Sequence, residues 1–276
     1  MNWKRVFGRI VLYGGLLFFA FVYLLPLWSA ITTSLKTPAE VAKTSALAFP
    51  THPTLAPFIE SFDSLKGPLV ISLIITAGGV AGSVLLGSMC GYVFSKIRFK
   101  YDTFVFLLLA AGAFIPYQSI LVPLFTTISK LHLFGTIPGL ILTHTAYGIP
   151  MCAILFRNFY GAIPESIINQ AMVDGAGPWR IYRKIVLPST VLATVVVVTF
   201  QFTSIWNEYL FGLLLGGGEG QAMPATVALA NLKGSLTAAW EVQMAGAIWA
   251  ALPVLIIYII MGRYLIRGYM TGAVKG

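Results

Sequence analysis

Charged residues are scarce in this chain of 276 amino acids. They form 10% of the sequence, against 58% hydrophobic residues, and the mean hydropathy is +0.85. A soluble globular domain carries roughly 25% charged residues. This shortage of charge excludes an ordinary soluble domain and predicts a polytopic membrane protein.

Cysteine and histidine are also rare. Cys90 and Cys152 lie in apolar stretches, and the three histidines are far apart in sequence. A disulfide framework or a zinc site needs more ligands at closer spacing. We therefore predict two buried cysteines, a buried interior His144 and no metal site. A membrane-embedded enzyme would need a nucleophile–base pair or a metal cluster, and the sequence has neither pattern.

A phosphate-binding loop is missing as well. No Gly-x-x-x-x-Gly-Lys-Ser/Thr segment occurs in the sequence, and this is the loop that cradles phosphates in many ATP-binding proteins. We therefore predict a protein that is not an enzyme, has no catalytic residues and binds no cofactor itself. Any ATP-driven step would depend on a partner protein.

Long apolar segments dominate what is present. A membrane-spanning helix needs about 20 mostly apolar residues. Six segments qualify, at approximately 10–33, 68–94, 103–128, 137–157, 189–214 and 241–264. We predict an all-α polytopic membrane protein of six transmembrane helices, forming one domain over residues 1–276. The hydrophilic segments are at about 34–67, 158–188 and 215–240.

Basic residues are distributed unevenly between the two sides of this arrangement. One side carries most of the lysines and arginines: Lys4, Arg5, Arg9, Lys96, Arg98, Lys100, Arg157, Arg180, Arg183, Lys184, Arg263, Arg267 and Lys275. Cytoplasmic loops are enriched in Lys and Arg, so both termini are predicted to be cytoplasmic. The segments 34–67 and 215–240 are then external. Topology thus accounts for the net charge of +9, and we predict no nucleic-acid partner.

The cytoplasmic segment 158–188 reads as a short helix with marked ends. Pro164 suits the start of a helix, and the negative charge of Glu165 stabilises the positive N-terminal end. Gly175 can adopt the left-handed conformation that ends a helix. A second helical pattern begins at Pro178. Taken alone, this pattern also fits an amphipathic helix that lies on anionic lipid.

This segment resembles the cytoplasmic signature loop of ABC importer permeases, in which Glu-Ala-Ala is followed by Asp-Gly-Ala and later by Ile-Val-Leu-Pro. The matching positions are Asn169-Gln170-Ala171, Asp174-Gly175-Ala176 and Ile185-Val186-Leu187-Pro188. Further segments look like the carbohydrate-uptake class: Ile115 to Gln118, Gly139 to Leu142, Trp206 to Leu210 and Gly272 to Gly276. The likeness is greatest to the second, six-span permease of maltose- and trehalose-type importers.

The resemblance implies a set of partners and a coupling helix. The partners are a second permease in a heterodimer, two ATPase subunits that bind ATP and Mg, an external solute-binding protein, a sugar and membrane lipid. The implied ATPase-coupling residues are Glu165, Asn169, Gln170, Ala171, Met172, Asp174, Gly175 and Ala176. The family glutamate is Asn169 here and the first alanine is Gln170, so a charged contact becomes a neutral hydrogen-bonding one. Ile185 to Pro188 would form a rigid connection to the spans.

Polar residues in spans five and three suggest a translocation pathway. Gln201, Ser204 and Glu208 share one helical face, with Asn207 beside them. A charge in hydrocarbon costs at least about 2.5 kcal/mol, so Glu208 should face protein or a watery cavity, near the outer mouth. Tyr117 and Gln118 follow Pro116 at a predicted kink and are added to the pathway. Hydrogen bonding between packed helices and a simple packing kink remain the alternatives.

Glycine is concentrated at two places. Gly78 and Gly82, and later Gly87 and Gly91, are four residues apart in span two, which predicts close helix packing. The external segment 215–240 contains Gly217, Gly218 and Glu219 in a glycine-rich stretch. The resemblance implies that a loop here contacts the solute-binding protein, and a merely flexible loop is the alternative.

Two other kinds of transporter fit the composition. A proton- or sodium-coupled transporter would bury several ionisable groups at mid-membrane and show internal repeats, whereas only Glu208 qualifies and no repeat is evident. An ABC permease for phosphate, a metal or an amino acid is the nearest rival. The matches in spans three and five favour carbohydrate.

Overall fold

The computed structural model describes residues 3–217, 222–232 and 239–273, and these ranges contain helices and connecting turns without a β-strand. The first helices are α1 (Trp3–Ser34), α2 (Pro38–Val41), α3 (Ala56–Lys96), α4 (Asp102–Gly112), α5 (Leu121–Lys130) and α6 (Ile137–Gly161). They are followed by α7 (Glu165–Val173), α8 (Pro178–Ile181), α9 (Leu187–Ser189), α10 (Val191–Trp206), α11 (Leu210–Leu215), α12 (Ala225–Asn231) and α13 (Trp240–Ala273). A 3₁₀ turn covers Tyr117–Ile120 and a π-helical turn covers Tyr182–Val186.

The membrane spans agree with the all-α expectation but differ in two places. Among the described residues, α1, α3, α6 and α13 are long and apolar enough to cross a membrane. In two further places, two adjacent helical segments are long and apolar enough to cross a membrane only when they are taken together. The segments Asp102–Gly112 and Tyr117–Lys130 are bent by 88°, and Pro178–Ser189 and Val191–Trp206 by 81°. Six spans result when each bent pair counts as one.

Span boundaries depart from the sequence expectation where polar residues are part of a helix. Helix α3 begins at Ala56 and runs through Pro68, so the last part of segment 34–67 is helical. The span expected at 189–214 is interrupted, because α10 ends at Trp206 and α11 begins at Leu210. The sequence predicted a kink in span three near Pro116. The structure instead has a complete break in the helix before Tyr117.

The chain divides into two compact units, Met1–Lys66 with Ala228–Ala251, and Gly67–Val227 with Leu252–Gly276. In the first unit, polar side chains tie the segment after α1 to the end of that helix. The buried Lys36 ammonium donates to the carbonyl oxygen of Ser45 at 2.7 Å, and the Thr32 hydroxyl donates to Ala46 at 2.6 Å. These bonds order a segment that has little regular structure.

Glu40 stabilises the other end of this segment. Its carboxylate accepts hydrogen bonds from the backbone N–H and the hydroxyl of Thr51. The N–H bond from Thr51 is the main reason why the pKa of Glu40 lies below its ordinary value of 4.5, and the hydroxyl bond and the nearby Lys36 lower this pKa further.

We expect Glu40→Gln to lower the melting temperature of the detergent-purified protein at neutral pH. A carboxyl group whose pKa is lowered on folding contributes stability above its unfolded pKa, and this contribution is lost as the pH falls through the folded pKa. The difference in melting temperature between wild type and variant should therefore shrink progressively as the pH is lowered below 4.5. The exposed Glu60, replaced by Gln, is the control. A pH-independent difference would contradict the role of the charge.

The second unit has two apolar clusters. One surrounds Phe156, Tyr160 and Val186, and the other surrounds Leu140 and Phe211. The prediction of buried cysteines is right for Cys152 but wrong for Cys90, which is partly exposed. Cys90 lies on a face of α3 that the fold leaves open, which an apolar sequence context does not reveal.

The predicted close packing at the span-two glycines is confirmed. A Cβ added to Gly87 would lie 2.4 Å from Cβ of Cys152 on α6. A Cβ on Gly91 would lie 2.6 Å from Cβ of Phe156 and 2.8 Å from the backbone nitrogen of Arg157. The backbones of α3 and α6 therefore approach closely because both positions lack a side chain.

Candidate functional site

A cavity of about 290 Å³ lies in the second unit, between α6, α10, α11 and the break between α4 and α5. It is lined by Ala113, Tyr117, His144, Tyr147, Gly148, Met151, Phe200, Gln201, Ser204, Ile205, Asn207, Glu208 and Phe211. The structure thus brings together five of the six residues predicted for the translocation pathway. Gln118 is the exception, because it is exposed in the 3₁₀ turn and does not line the cavity.

The break between α4 and α5 positions Tyr117. Pro116 precedes the 3₁₀ turn with extended backbone angles (φ −60°, ψ 119°). The hydroxyl of Tyr147 on α6 donates to the carbonyl oxygen of Ile115 at 3.0 Å, which satisfies a backbone acceptor that the broken helix leaves free. The break is therefore held by α6 and presents Tyr117 to the cavity.

Aromatic rings form one wall of this cavity. Phe211 is buried and makes edge-on contacts with Tyr117, His144 and Tyr147, with ring centroids 5.5, 5.6 and 5.7 Å apart. His144 is buried, as predicted, but its place in the cavity was missed, as were those of Tyr147 and Phe211. His144 and Tyr147 are three residues apart and therefore share one face of α6, and this spacing could have indicated that both line the cavity. No sequence signal marks Phe211.

Glu208 lines the cavity but is not a free carboxylate. Its oxygens accept hydrogen bonds from the backbone N–H groups of Leu210 and Phe211 at 2.7 and 2.8 Å, and from Gly212 at 3.4 Å. A carboxylate in this position caps the positive end of α11. The sequence predicted that Glu208 lies on the same continuous helix as Gln201 and Ser204 and faces the pathway as a free carboxylate. This prediction is wrong, because α10 ends at Trp206, before Glu208.

The other polar residues on α10 differ in exposure. Gln201 is buried, and its Oε1 lies 3.7 Å from Sγ of Cys152 on α6. This contact favours the alternative role of Gln201 in joining two helices. Ser204 and Asn207 are exposed, and the Asn207 amide donates back to the carbonyl oxygen of Thr203 at 3.0 Å. Ser204 and Asn207 are therefore the polar groups most accessible to a solute.

The segment 158–188 contains the short helix that the sequence predicts. Helix α7 begins after Pro164, and Gly175 follows it with φ +79°. The N–H of Ala176 donates to the carbonyl oxygen of Ala171 at 2.9 Å, which is the hydrogen bond of a glycine-dependent helix end. Local residues thus determine both ends of α7.

The two faces of α7 have different surroundings. Ile168 and Ala171 are buried against the apolar cluster around Phe156. The other coupling residues predicted from the resemblance, Glu165, Asn169, Gln170, Met172, Asp174 and Gly175, are exposed, and Ala176 is half-buried. Val173 is 82% exposed and Met172 is 51% exposed. The helix therefore offers an exposed apolar tip beside polar side chains, of which Asn169 and Gln170 are neutral and Asp174 is acidic.

The connection from this loop to α10 is not a straight helix. Residues Tyr182–Val186 form a π-helical turn, and the chain bends by 81° before Val191. Ile185 to Pro188 lie within the helical segment that ends at Ser189, and the bend follows them, so the predicted rigid connection stays a prediction. Pro188 lies in the short helix α9 and removes one backbone donor near the bend.

The glycine-rich segment predicted to contact a binding protein is only partly described. Gly217 has φ +75°, a conformation that favours glycine. Gly218 and Glu219 lie outside the described residues. The prediction for these three residues stays a prediction.

Comparison with protein families gives one extended match. Residues 83–270 match the family described as the inner membrane component of binding-protein-dependent transport systems. The matched range contains the segment 158–188 and all of the residues that line the cavity.

Similar proteins are found in archaea. A probable ABC transporter permease protein of Pyrococcus horikoshii is 52% identical, over 97% of this chain and 98% of its own length. The xylose/arabinose import permease protein XacI of Haloferax volcanii is 33% identical, over 96% and 93%. The glucose import system permease protein GlcU of Saccharolobus solfataricus is 29% identical, over 92% of each chain.

Solved structures share the fold. A chain of a bacterial ABC transporter involved in the import of alginate superposes with a TM-score of 0.82 at 22% identity, covering 96% of this chain and 98% of the other. A chain of the MetNI methionine ABC transporter superposes with a TM-score of 0.60 at 18% identity, covering 76% and 97%.

Proposed function

Because this chain belongs to the family of inner membrane components of binding-protein-dependent transport systems, we propose that it is the permease subunit of an ABC importer for a carbohydrate. The observation that carries the choice of carbohydrate is the cavity, whose wall combines aromatic rings with neutral polar groups. Relatives that are named for the import of xylose, arabinose and glucose support the same choice.

The chemistry of the cavity favours a neutral solute. Among the described residues that line it there is no lysine or arginine, and Glu208 is engaged with backbone N–H groups. The rings of Tyr117 and Tyr147 can pack against the C–H groups of a sugar ring, while Ser204 and Asn207 can exchange hydrogen bonds with its hydroxyls. A phosphate or a carboxylate would find no basic partner there.

The same observation weakens the case for a proton-coupled transporter. Such a protein needs an ionisable group that gains and loses a proton during transport. Glu208 holds the start of α11 through two hydrogen bonds shorter than 3 Å, so it has a structural role there.

The energy for transport comes from partner subunits in this proposal. Two ATPases bind ATP and Mg, and one of them docks on the exposed tip of α7 around Met172 and Val173. A second permease completes the pathway, and an external solute-binding protein delivers the sugar. Both termini are cytoplasmic, and the exposed apolar surface of Phe7–Ser34 faces lipid or the second permease.

The test is transport by the reconstituted complex. The chain is co-expressed with the permease, ATPase and binding-protein genes encoded beside its own, purified through a tag and placed in proteoliposomes. We expect uptake of labelled xylose, arabinose, glucose or a disaccharide that requires both ATP and the binding protein. Uptake that follows a proton gradient without ATP would overturn the proposal. Import of phosphate or an amino acid with no sugar uptake would overturn its substrate class.

Within this assay we expect Ser204→Ala and Asn207→Ala each to raise the KM for sugar uptake. A lost hydrogen bond costs about 0.5–1.5 kcal/mol, which corresponds to roughly a two- to twelvefold increase. The exposed Ser64, replaced by Ala, is the control. An unchanged KM in both cavity variants would show that the sugar does not use these groups.

A further inference from the structure

Three side chains on one face of α3 reach the cytoplasmic loop. Ser88, Tyr92 and Lys96 are four residues apart and therefore lie one above the other on this helix. Each makes a hydrogen bond to a different part of the chain between α6 and α10. We call these three residues the α3 ladder.

The first contact joins three elements at one hydroxyl group. Oγ of Ser88 lies 2.6 Å from the hydroxyl oxygen of Tyr160, at the end of α6, and 2.8 Å from that of Tyr182, in the π-helical turn. All three side chains are buried. Removal of one hydroxyl leaves the others without their partner in a site that excludes water, and this is costly.

The other two contacts bracket the coupling helix α7. The hydroxyl of Tyr92 donates to the carbonyl oxygen of Pro178 at 2.9 Å, just after α7. The ammonium of Lys96 donates to the carbonyl oxygen of Ile163 at 2.7 Å, just before α7. Both ends of the segment that carries α7 are thus bonded to the same helix.

The direct path along the chain from α7 to α10 is locally bent and locally bonded. It passes through the π-helical turn and the 81° bend. The hydroxyls of Ser189 and Thr190 donate to carbonyl oxygens one turn earlier, those of Ile185 and Val186, at 2.6 and 2.8 Å. A bent, self-bonded junction transmits displacement less directly than a set of cross-links to one long helix.

Helix α3 is also locked to its neighbour α6. Gly87 and Gly91 leave no space between the two backbones at Cys152 and Phe156. A displacement of α3 must therefore move α6 as well, because packed interiors do not deform continuously. Helix α6 carries His144 and Tyr147 to the cavity.

We propose that the α3 ladder, and not the chain junction into α10, carries the displacement of α7 into the membrane-spanning helices. Ser88, Tyr92 and Lys96 are positioning residues in this inference, which rests on the proposed function. Force applied at the tip of α7 reaches α3 through Ile163 and Pro178, then α6 through the glycine contacts, and finally the cavity wall.

The test compares two sets of variants in the reconstituted complex. The first set removes ladder bonds with little change in shape: Ser88→Ala, Tyr92→Phe and Lys96→Met. The second set is the junction variant Ser189→Ala with Thr190→Val. Sugar uptake per ATP hydrolysed, the stimulation of ATP hydrolysis by loaded binding protein and the melting temperature are measured at equal amounts of assembled complex. A purely structural role would change the melting temperature and the yield, but not the uptake per ATP.

We expect uptake per ATP to fall roughly two- to thirtyfold in the ladder variants, which is the range for changes along a coupling path. The junction variant should stay within roughly twofold of wild type. Lys96→Arg keeps a donor and should restore much of the loss seen with Lys96→Met.

Tyr92→Phe removes a single oxygen atom and is therefore the variant least able to disturb assembly. Wild-type coupling in both Tyr92→Phe and Lys96→Met would overturn the inference. A larger loss in the junction variant would overturn it too.

The two proposals can fail separately. If the wild-type complex shows neither ATP-dependent uptake nor stimulation by binding protein, the proposed function is wrong. If the wild-type complex is active and the ladder variants remain coupled, the function stands and only the route through α3 is wrong.

Discussion

Replacing Gly91 by valine is expected to prevent the permease from accumulating in the membrane as a folded protein. A Cβ at this position would lie 2.6 Å from Cβ of Phe156 and 2.8 Å from the backbone nitrogen of Arg157. Neither group is the end of a flexible side chain, so α3 and α6 would have to separate. Overpacking of a core typically costs about 1–3 kcal/mol, and a clash with backbone belongs at or above the upper end.

The measurement is the yield of monodisperse protein after detergent extraction, together with its melting temperature. Gly14→Val on α1 is the matched control, because a Cβ added there meets nothing within 4 Å. Gly78→Ala provides an intermediate case, since its added Cβ would meet the movable side chain of Ile141. A Gly91→Val protein with the yield and melting temperature of the control would contradict the close packing of α3 against α6.

Replacing Val173 by aspartate is expected to reduce binding-protein-stimulated ATP hydrolysis by more than roughly tenfold, which corresponds to about 1.4 kcal/mol of lost coupling. Val173 is 82% exposed, so a carboxylate is well solvated there in the isolated permease and its fold should not change. In the proposed complex this tip of α7 is buried against an ATPase. An unpaired charge is costly to bury.

Ala171→Asp on the opposite face of α7 separates docking from folding. Ala171 is buried against the apolar cluster around Phe156, so this variant should damage the permease itself and lower its melting temperature. Val173→Asp should keep the wild-type melting temperature while losing the ATPase subunits during purification or losing stimulation. If Val173→Asp assembles and hydrolyses ATP as the wild type does, the ATPases do not dock at this tip.

Local sequence signals determined helix α7 well. Pro164 and Gly175 mark its two ends through properties of the individual residues: the missing N–H of proline and the left-handed conformation that glycine tolerates. The structure places α7 at Glu165–Val173, inside the predicted limits. The presence of several spans was likewise predictable, because the length of apolar segments depends on the thickness of the bilayer and not on packing.

The pathway residues were only partly predictable. Gln201 and Ser204 lie on α10, Asn207 directly follows it, and all three reach the cavity as the helical spacing suggested. Glu208 also reaches the cavity, but through a different geometry. The spacing argument assumed that the helix continues through Glu208, whereas α10 ends at Trp206. Its carboxylate became the cap of α11, which no periodic pattern predicts.

The amino-acid sequence by itself determined that this chain crosses a membrane several times, where the short helix α7 begins and ends, and which family it resembles. Only the tertiary structure decided that Phe211 and Tyr147 meet Tyr117 in one cavity, and that Ser88, Tyr92 and Lys96 hold the ends of the loop around α7. The physical reason is that both the lipid-facing and the protein-facing surfaces of a membrane helix are apolar. Hydrophobic periodicity therefore does not show which face packs inward, and contacts between distant helices depend on bends and close approaches that arise only when the helices pack.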